Sequence, residues 1–226
     1  MVGALLLAAG VSVGQMVVGQ NFWDMSWGLE KTNPFVTTMN TVSGSNPWKP
    51  LFLEECAPYH ILRFMDWNVT NDLEKEEKLT IHRGGWEARR KMSDARQKPL
   101  AYEWQIDLCN RLACDYWLNV PSVVDSTYQY ELAKLIKAQL NPALKVYIEW
   151  SNEVWNTNMT QTAVAESMGV LLGFPPAGKP SQQGWSYSAW RSLLCFEQFE
   201  KVFGKNSPRI VKIIPSWANG PGCTKV

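Results

Sequence analysis

Five apolar runs punctuate the chain at intervals of about 30 to 65 residues: QMVVGQNFW (15–23), HILRFMDW (60–67), CDYWLNV (114–120), KVYIEWS (145–151) and RIVKIIP (209–215). Each is short, rich in β-branched and aromatic residues and bounded by turn-forming sequence, which predicts a strand. Helical patterns lie between most of them. Pro50 opens a short helix, PLFLEECAPY. Ala101, Trp104, Leu108 and Leu112 recur near the 3.6-residue period after Pro99. STYQYELAKLIKAQL carries Tyr128, Leu132, Leu135 and Ile136 along one stripe, with Ser126 as its expected cap. It ends near Asn141, because Pro142 disfavours helical geometry at the residue before it. SAWRSLLCFEQFEKVFG reads as a helix with Trp190, Leu193, Leu194 and Phe203 inward and Gly204 as its stop.

Two stretches break the alternation. Residues 72–98 are crowded with charge and contain Gly84-Gly85, which predicts a long loop or a solvated face, with a lid as the functional alternative. A polar insertion containing Phe174-Pro-Pro and Ser181-Gln-Gln-Gly precedes the last helix. Strand and helix in alternation imply an α/β fold with parallel strands. The pattern suits the amino-terminal part of a (β/α)8 TIM barrel and also allows a doubly wound open sheet. At this spacing eight strands need well over the roughly 250 residues of a typical barrel. The 226 residues therefore predict about five strands of a partial barrel domain spanning 16–226, with the carboxyl-terminal part missing.

Composition narrows the partners. The chain is 46% hydrophobic and 19% charged with a net charge of +1, so the overall balance asks for neither nucleic acid nor an anionic membrane. Twelve tryptophans lean towards a carbohydrate ligand, because an indole face stacks on a sugar ring. Cys56, Cys109, Cys114, Cys195 and Cys223 form no CxxC pair, and only His60 and His82 join them, which argues against structural zinc. Unpaired buried thiols are the expectation. MVGALLLAAGVSVGQ, residues 1–15, has the apolar stretch of a secretory leader without the basic residues ahead of it, and a buried first segment or the start of a truncated frame are its alternatives. It is too short to span a bilayer. The triplets Asn68-Val-Thr70 and Asn158-Met-Thr160 fit a secreted, glycosylated protein.

In parallel α/β folds the site forms at the carboxyl ends of the strands, where the loops converge. Here those ends read Arg63-Phe-Met-Asp66-Trp67-Asn68, Trp117-Leu-Asn119-Val-Pro121, Glu149-Trp-Ser-Asn152-Glu153-Val-Trp155-Asn156 and Pro215-Ser-Trp217-Ala-Asn219. Tryptophan and asparagine recur at all four, supplying rings for stacking and amides for hydroxyl groups. The ends of the runs at 61–67, 114–120 and 145–151 are expected side by side on one rim.

The Asn152-Glu153 pair closing the fourth run resembles the strand-four signature of clan A glycoside hydrolases, the (β/α)8 superfamily of many cellulases, xylanases and mannanases. The segments LRFMDWN, YWLNVP and YIEWSNEVWN are most similar to cellulase-like proteins described as cellulose-binding, and the likeness runs from about residue 16 to the end. The resemblance implies Glu153 as general acid/base, Asn152 as the donor to the sugar 2-hydroxyl and Arg63 as support for a nucleophile, with a structural ion pair as the alternative for Arg63. Trp67, Trp117, Trp155 and Trp217 are open between core packing and a sugar platform, and Asn119 joins the candidate substrate-binding set. No metal or organic cofactor is implied.

A retaining mechanism needs two carboxyl groups about 5 to 5.5 Å apart. The clan takes its nucleophilic Glu from the seventh strand, which this chain is not expected to contain. Glu149 shares strand parity with Ser151 and Glu153 and is expected as a buried partner of Arg63 rather than a stand-in nucleophile; Asp66 is an equally remote substitute. Two functions follow as expectations. One is a part of a secreted retaining hydrolase of a β-linked polysaccharide such as cellulose or hemicellulose, inactive by itself. The other is a non-catalytic carbohydrate-binding protein on the same scaffold. An unrelated α/β protein with a chance Asn-Glu is the third possibility.

Overall fold

The computed structural model describes residues 15–17, 48–71, 85–94, 97, 99–217 and 220. Most of the 72–98 stretch, and with it any lid, lies outside the described residues, as does the leader region; a short 3₁₀ turn, Trp86–Ala88, falls inside.

Five strands form one parallel sheet: β1 (Gln15–Val17), β2 (Ile61–Arg63), β3 (Asp115–Val120), β4 (Val146–Trp150) and β5 (Ile210–Ile213). Their order in the sheet is β1-β2-β3-β4-β5, without the reversal that defines a doubly wound sheet. The register aligns Arg63 with Trp117, Trp117 with Tyr147 and Asn119 with Glu149.

Side chains alternate across a strand, and here the two faces differ in chemistry. Leu62, Tyr116, Leu118, Val120, Val146, Ile148 and Trp150 fill one face and are buried. They join Trp104, Leu108, Tyr128, Leu132, Ile136, Phe196 and Phe199 of the covering helices in one core. The other face carries Arg63, Trp117, Asn119, Tyr147 and Glu149. An apolar run in sequence has become a sheet that is greasy on the helix side and polar on the opposite side.

Among the described residues there are five α-helices: α1 (Pro50–Cys56), α2 (Tyr102–Leu112), α3 (Ser126–Gln139), α4 (Thr160–Leu171) and α5 (Pro180–Phe203). Proline opens α1 and α5 at the position where its missing N–H costs no helical hydrogen bond. The cap of α3 is Asp125, whose carboxylate accepts from the Tyr128 N–H at 2.7 Å, so Ser126 is already inside the helix.

Helix α4 lies just ahead of Phe174-Pro-Pro, and Ser181-Gln-Gln-Gly, expected in a polar insertion, is instead the first turn of α5. The two helices cross closely enough that a Cβ at Gly169 would lie 2.3 Å from the Gln183 carbonyl oxygen, and one at Gly184 would lie 2.9 Å from the Glu166 nitrogen. Glycine is what lets these two backbones touch. Because α5 packs against both α3 and α4, its buried stripe is Ser188, Ser192, Cys195, Phe196 and Phe199. Trp190 and Leu193, expected inward, are 39% and 53% exposed. The buried face runs one position round the helix from the expected one and mixes small residues at the crossings with the rings of Tyr187, Phe196 and Phe199.

Strand β2 is shorter than its apolar run. After Phe64 donates a last sheet-type bond to the Trp117 carbonyl at 3.1 Å, the chain turns, and Val69 takes φ 52°. The turn drops Trp67 into the core, fully buried and stacked on Trp48 at 6.2 Å. Asn68 is buried beneath it, donating to the Asn119 carbonyl at 3.2 Å and accepting from Gln105 Nε2 at 2.6 Å.

Candidate functional site

Arg63, at the end of β2, reaches across β3 to Glu149 on β4. Its Nε donates to Oε2 at 3.2 Å, and its terminal nitrogen donates to Oε1 and Oε2, both at 2.9 Å. Trp117, on the intervening strand, donates its indole N–H to Glu149 Oε2 at 2.7 Å. Its ring lies under the guanidinium, 5.3 Å from the centroid, and stacks on Tyr147 at 5.9 Å. Glu149 is 3% exposed and Arg63 13% exposed. A charge so buried persists only when paired and hydrogen-bonded, and each carboxylate oxygen here has donors from Arg63, with Trp117 adding a further one.

The same guanidinium donates to Asn152 Oδ1 at 2.8 Å. Arginine has only donors, so this bond fixes the orientation of the Asn152 amide and turns its Nδ2 towards Asn71 Oδ1, 3.0 Å away. Gln161, in the first turn of α4, donates to the same Asn71 oxygen at 2.8 Å and to the Asn152 carbonyl at 2.9 Å.

Beyond Trp150 the extended backbone stops. Ser151 and Glu153 both occupy the left-handed region, at φ 62° and 42°. Strand parity therefore does not carry past β4, and Glu153 does not share a face with Glu149 as the alternation implied. Two non-glycine residues in this region within three positions are strained, each by about 1–3 kcal/mol, and persist because their surroundings hold them. The holders are visible. Ser151 N–H bonds the Val120 carbonyl at 2.8 Å, Asn119 Nδ2 bonds the Ser151 carbonyl at 2.9 Å, and Thr162 Oγ1 bonds the Asn156 carbonyl at 2.7 Å. Glu153 itself is half-buried; its carboxylate accepts from Asn156 Nδ2 at 2.9 Å, and its backbone carbonyl accepts from the Asn156 N–H at 2.9 Å. Of the two glutamates at the end of β4, Glu149 is consumed by an ion pair and Glu153 is not.

Arg63, Trp117, Asn152 and Glu153 thus gather at one rim, as the strand ends suggested. Asn119 lies just beneath, fully buried, and ties β3 to the loop instead of facing a ligand. Trp67 is corrected outright: a ring sealed in the core offers no face to a sugar. Trp155 packs against the edge of the core, and Trp217, past β5, is 50% exposed. Sequence reasoning missed Asn71, Gln161 and Tyr147. Tyr147 was signalled by its parity with Glu149; nothing local marked the other two, whose role depends on where α4 starts.

Four cysteines, Cys56, Cys109, Cys114 and Cys195, are free and buried, while Cys223 lies outside the described residues. Burial pushes the thiols of Cys56 and Cys195 up to about 12, and for Cys56 the neighbouring Cys114 and Glu55 add to the effect. Among the described residues no group of His, Cys, Asp or Glu gathers in a way that would hold a metal, and no helix is long and apolar enough to cross a membrane. Of the two glycosylation triplets, Asn68 is 1% exposed and committed to its internal bonds, whereas Asn158 is exposed.

Compared with protein-family models, curated proteins and solved structures, the chain gives no significant match. Chemically, the rim combines a buried, fully paired Arg-Glu anchor, an amide of fixed polarity, a half-buried carboxylate on a strained loop and a pair of stacked rings. Such a set offers ring faces, an amide N–H and a carboxylate able to exchange a proton.

Proposed function

We propose that the chain is part of a retaining glycoside hydrolase acting on a β-linked polysaccharide such as cellulose or hemicellulose. Its five strands would be the first five of a (β/α)8 barrel, and Glu153 the general acid/base. The polar sheet face would be the barrel interior. The observation that supports this most is the bridge from Arg63 to both Glu149 and Asn152, which anchors the loop bearing Glu153 to the carboxyl ends of three adjacent strands. On this reading Glu153 donates a proton to the departing glycosidic oxygen, then accepts one from the incoming water. Asn152 meets the sugar 2-hydroxyl. The nucleophile comes from a later strand, as in the clan the sequence resembles, and the polypeptide without it binds but does not cleave. A secreted location fits the substrate.

The second reading, a carbohydrate-binding protein without turnover, is favoured by one specific feature: Arg63 and Trp117 occupy the Glu149 carboxylate, so it is not available to attack an anomeric carbon. The two readings separate in one experiment. Reducing ends released from cellulose or mannan, together with oligosaccharide titration, are measured for the protein and for Glu153→Gln. Hydrolysis abolished by the substitution with binding retained supports the enzyme. Binding without hydrolysis in the unsubstituted protein that carries the later strands supports the second reading, and neither binding nor hydrolysis overturns both.

A further inference from the structure

We infer that Asn71 and Gln161 are positioning residues that set the polarity of the Asn152 amide and pin the loop carrying Glu153; the inference rests on the function proposed above. The argument is one of donors and acceptors. Arg63 offers only N–H groups, so Asn152 must present Oδ1 to it and Nδ2 to the other side. Whatever stands there must accept, and Asn71 does so with Oδ1 at 3.0 Å. The same oxygen accepts from Gln161 Nε2 at 2.8 Å, which holds Asn71 in the accepting orientation.

Gln161 spends its second donor on the Asn152 carbonyl at 2.9 Å. A single amide, 2% exposed, therefore holds the Asn152 backbone directly and its side chain through Asn71. The adjacent Thr162 bonds the Asn156 carbonyl at 2.7 Å, and Asn156 Nδ2 bonds Glu153 Oε2 at 2.9 Å. The first turn of α4 thus grips both ends of the segment 152–156. Asn152 is 2% exposed, and what it can offer a ligand hydroxyl is its remaining Nδ2 hydrogen, because Arg63 takes the carbonyl end and Asn71 the other N–H. Turned the other way, Asn152 would point its Nδ2 at the guanidinium, two donors facing each other.

The polarity makes an asymmetric prediction that a purely space-filling role does not. Asn71→Asp keeps the acceptor and should preserve the array. Gln161→Glu, equal in size, replaces both donors by acceptors and should break it, as should the uncharged Gln161→Met. The readout is the side-chain NH₂ resonances of Asn152 and backbone hydrogen exchange over 151–156, with remote backbone amides confirming that each variant is folded. The expected result is a near-native Asn152 signal in Asn71→Asp and a displaced signal with at least tenfold faster loop exchange in both Gln161 variants. In parallel, titration with cellotetraose should show Asn71→Asp binding as the unsubstituted protein does and Gln161→Glu at least tenfold weaker. A native amide signal and native loop protection in Gln161→Glu, or disruption in Asn71→Asp, would overturn the inference. If the unsubstituted protein ignores cellotetraose, the proposed substrate is wrong, and the amide and exchange pattern alone decides the positioning claim.

Discussion

Replacing Arg63 by Leu tests the anchor of the site most sharply. The substitution removes the three short contacts to Glu149 and the bond to Asn152, leaving a carboxylate only 3% exposed with the Trp117 indole as its remaining donor. Removing one member of a buried ion pair costs about 3–5 kcal/mol, because the other charge is left uncompensated. The reverse change, Glu149→Met, strands a guanidinium that is 13% exposed and better able to reach water, so it should cost less, about 1–3 kcal/mol. The double variant has no orphaned charge. Its destabilisation should fall short of the sum of the single changes by about 2 kcal/mol, a coupling energy typical of directly bonded partners. Urea unfolding at neutral pH, followed by tryptophan fluorescence and circular dichroism, measures all four corners of the cycle. Additivity within about 0.5 kcal/mol would place the pair with weakly contributing surface bridges and refute the claim that it anchors the loop.

Ser151→Gly should raise stability by about 1 kcal/mol, since it relieves a left-handed φ of 62° and removes a buried hydroxyl with no partner among the described residues; thermal unfolding checks it, and a loss would show that the loop is not strained. Trp67→Ala should cost about 3–5 kcal/mol, while Trp217→Ala stays within about 0.5 kcal/mol yet weakens oligosaccharide binding; a paired denaturation and titration series separates core from surface. The raised thiols of Cys56 and Cys195 bind protons more tightly folded than unfolded. Their contribution is therefore complete below the ordinary value of 9.0 and is lost as pH rises towards about 12, so unfolding midpoints should decline over that window. Replacing both by Ala or Val should lessen the decline without removing it, because burial also raises Cys109, Tyr102, Tyr116 and Tyr128, and an unchanged slope would assign it to those groups.

The strands were legible because parallel-sheet runs are apolar, short and sharply bounded. All five described strands begin within a residue of their runs, although β2 gives up its last residues to the turn that buries Trp67 and Asn68. The rim was legible because Arg63, Trp117 and the 149–153 segment sit at strand ends whose register is nearly fixed by topology. What sequence did not reveal depends on packing between elements. Gly169 carried no local signal and Gly184 lay in a stretch read as a polar insertion, yet both are helix-crossing contacts. Trp190 and Leu193 gave an apolar period on α5 that lost to the stripe of Ser188, Ser192, Cys195, Phe196 and Phe199 facing its neighbours. Asn71 and Gln161 are ordinary polar residues until α4 brings one beside the other. Trp67 shows the limit of composition: its place at a strand end suggested a ligand platform, and the turn over residues 65–69 made it core.

The central claim, that Glu153 transfers a proton to the leaving oxygen, is tested most directly by the leaving-group dependence of Glu153→Gln in the polypeptide that carries both carboxylates. An amide keeps the shape and much of the hydrogen bonding but cannot protonate. Hydrolysis of an unactivated β-linked polysaccharide should fall by about a hundred- to ten-thousandfold, while glycosylation by an aryl glycoside with a good leaving group, which departs without a proton, should fall far less. Equal losses on both substrates, or full activity on the polysaccharide, would contradict the assignment of Glu153 as the acid/base.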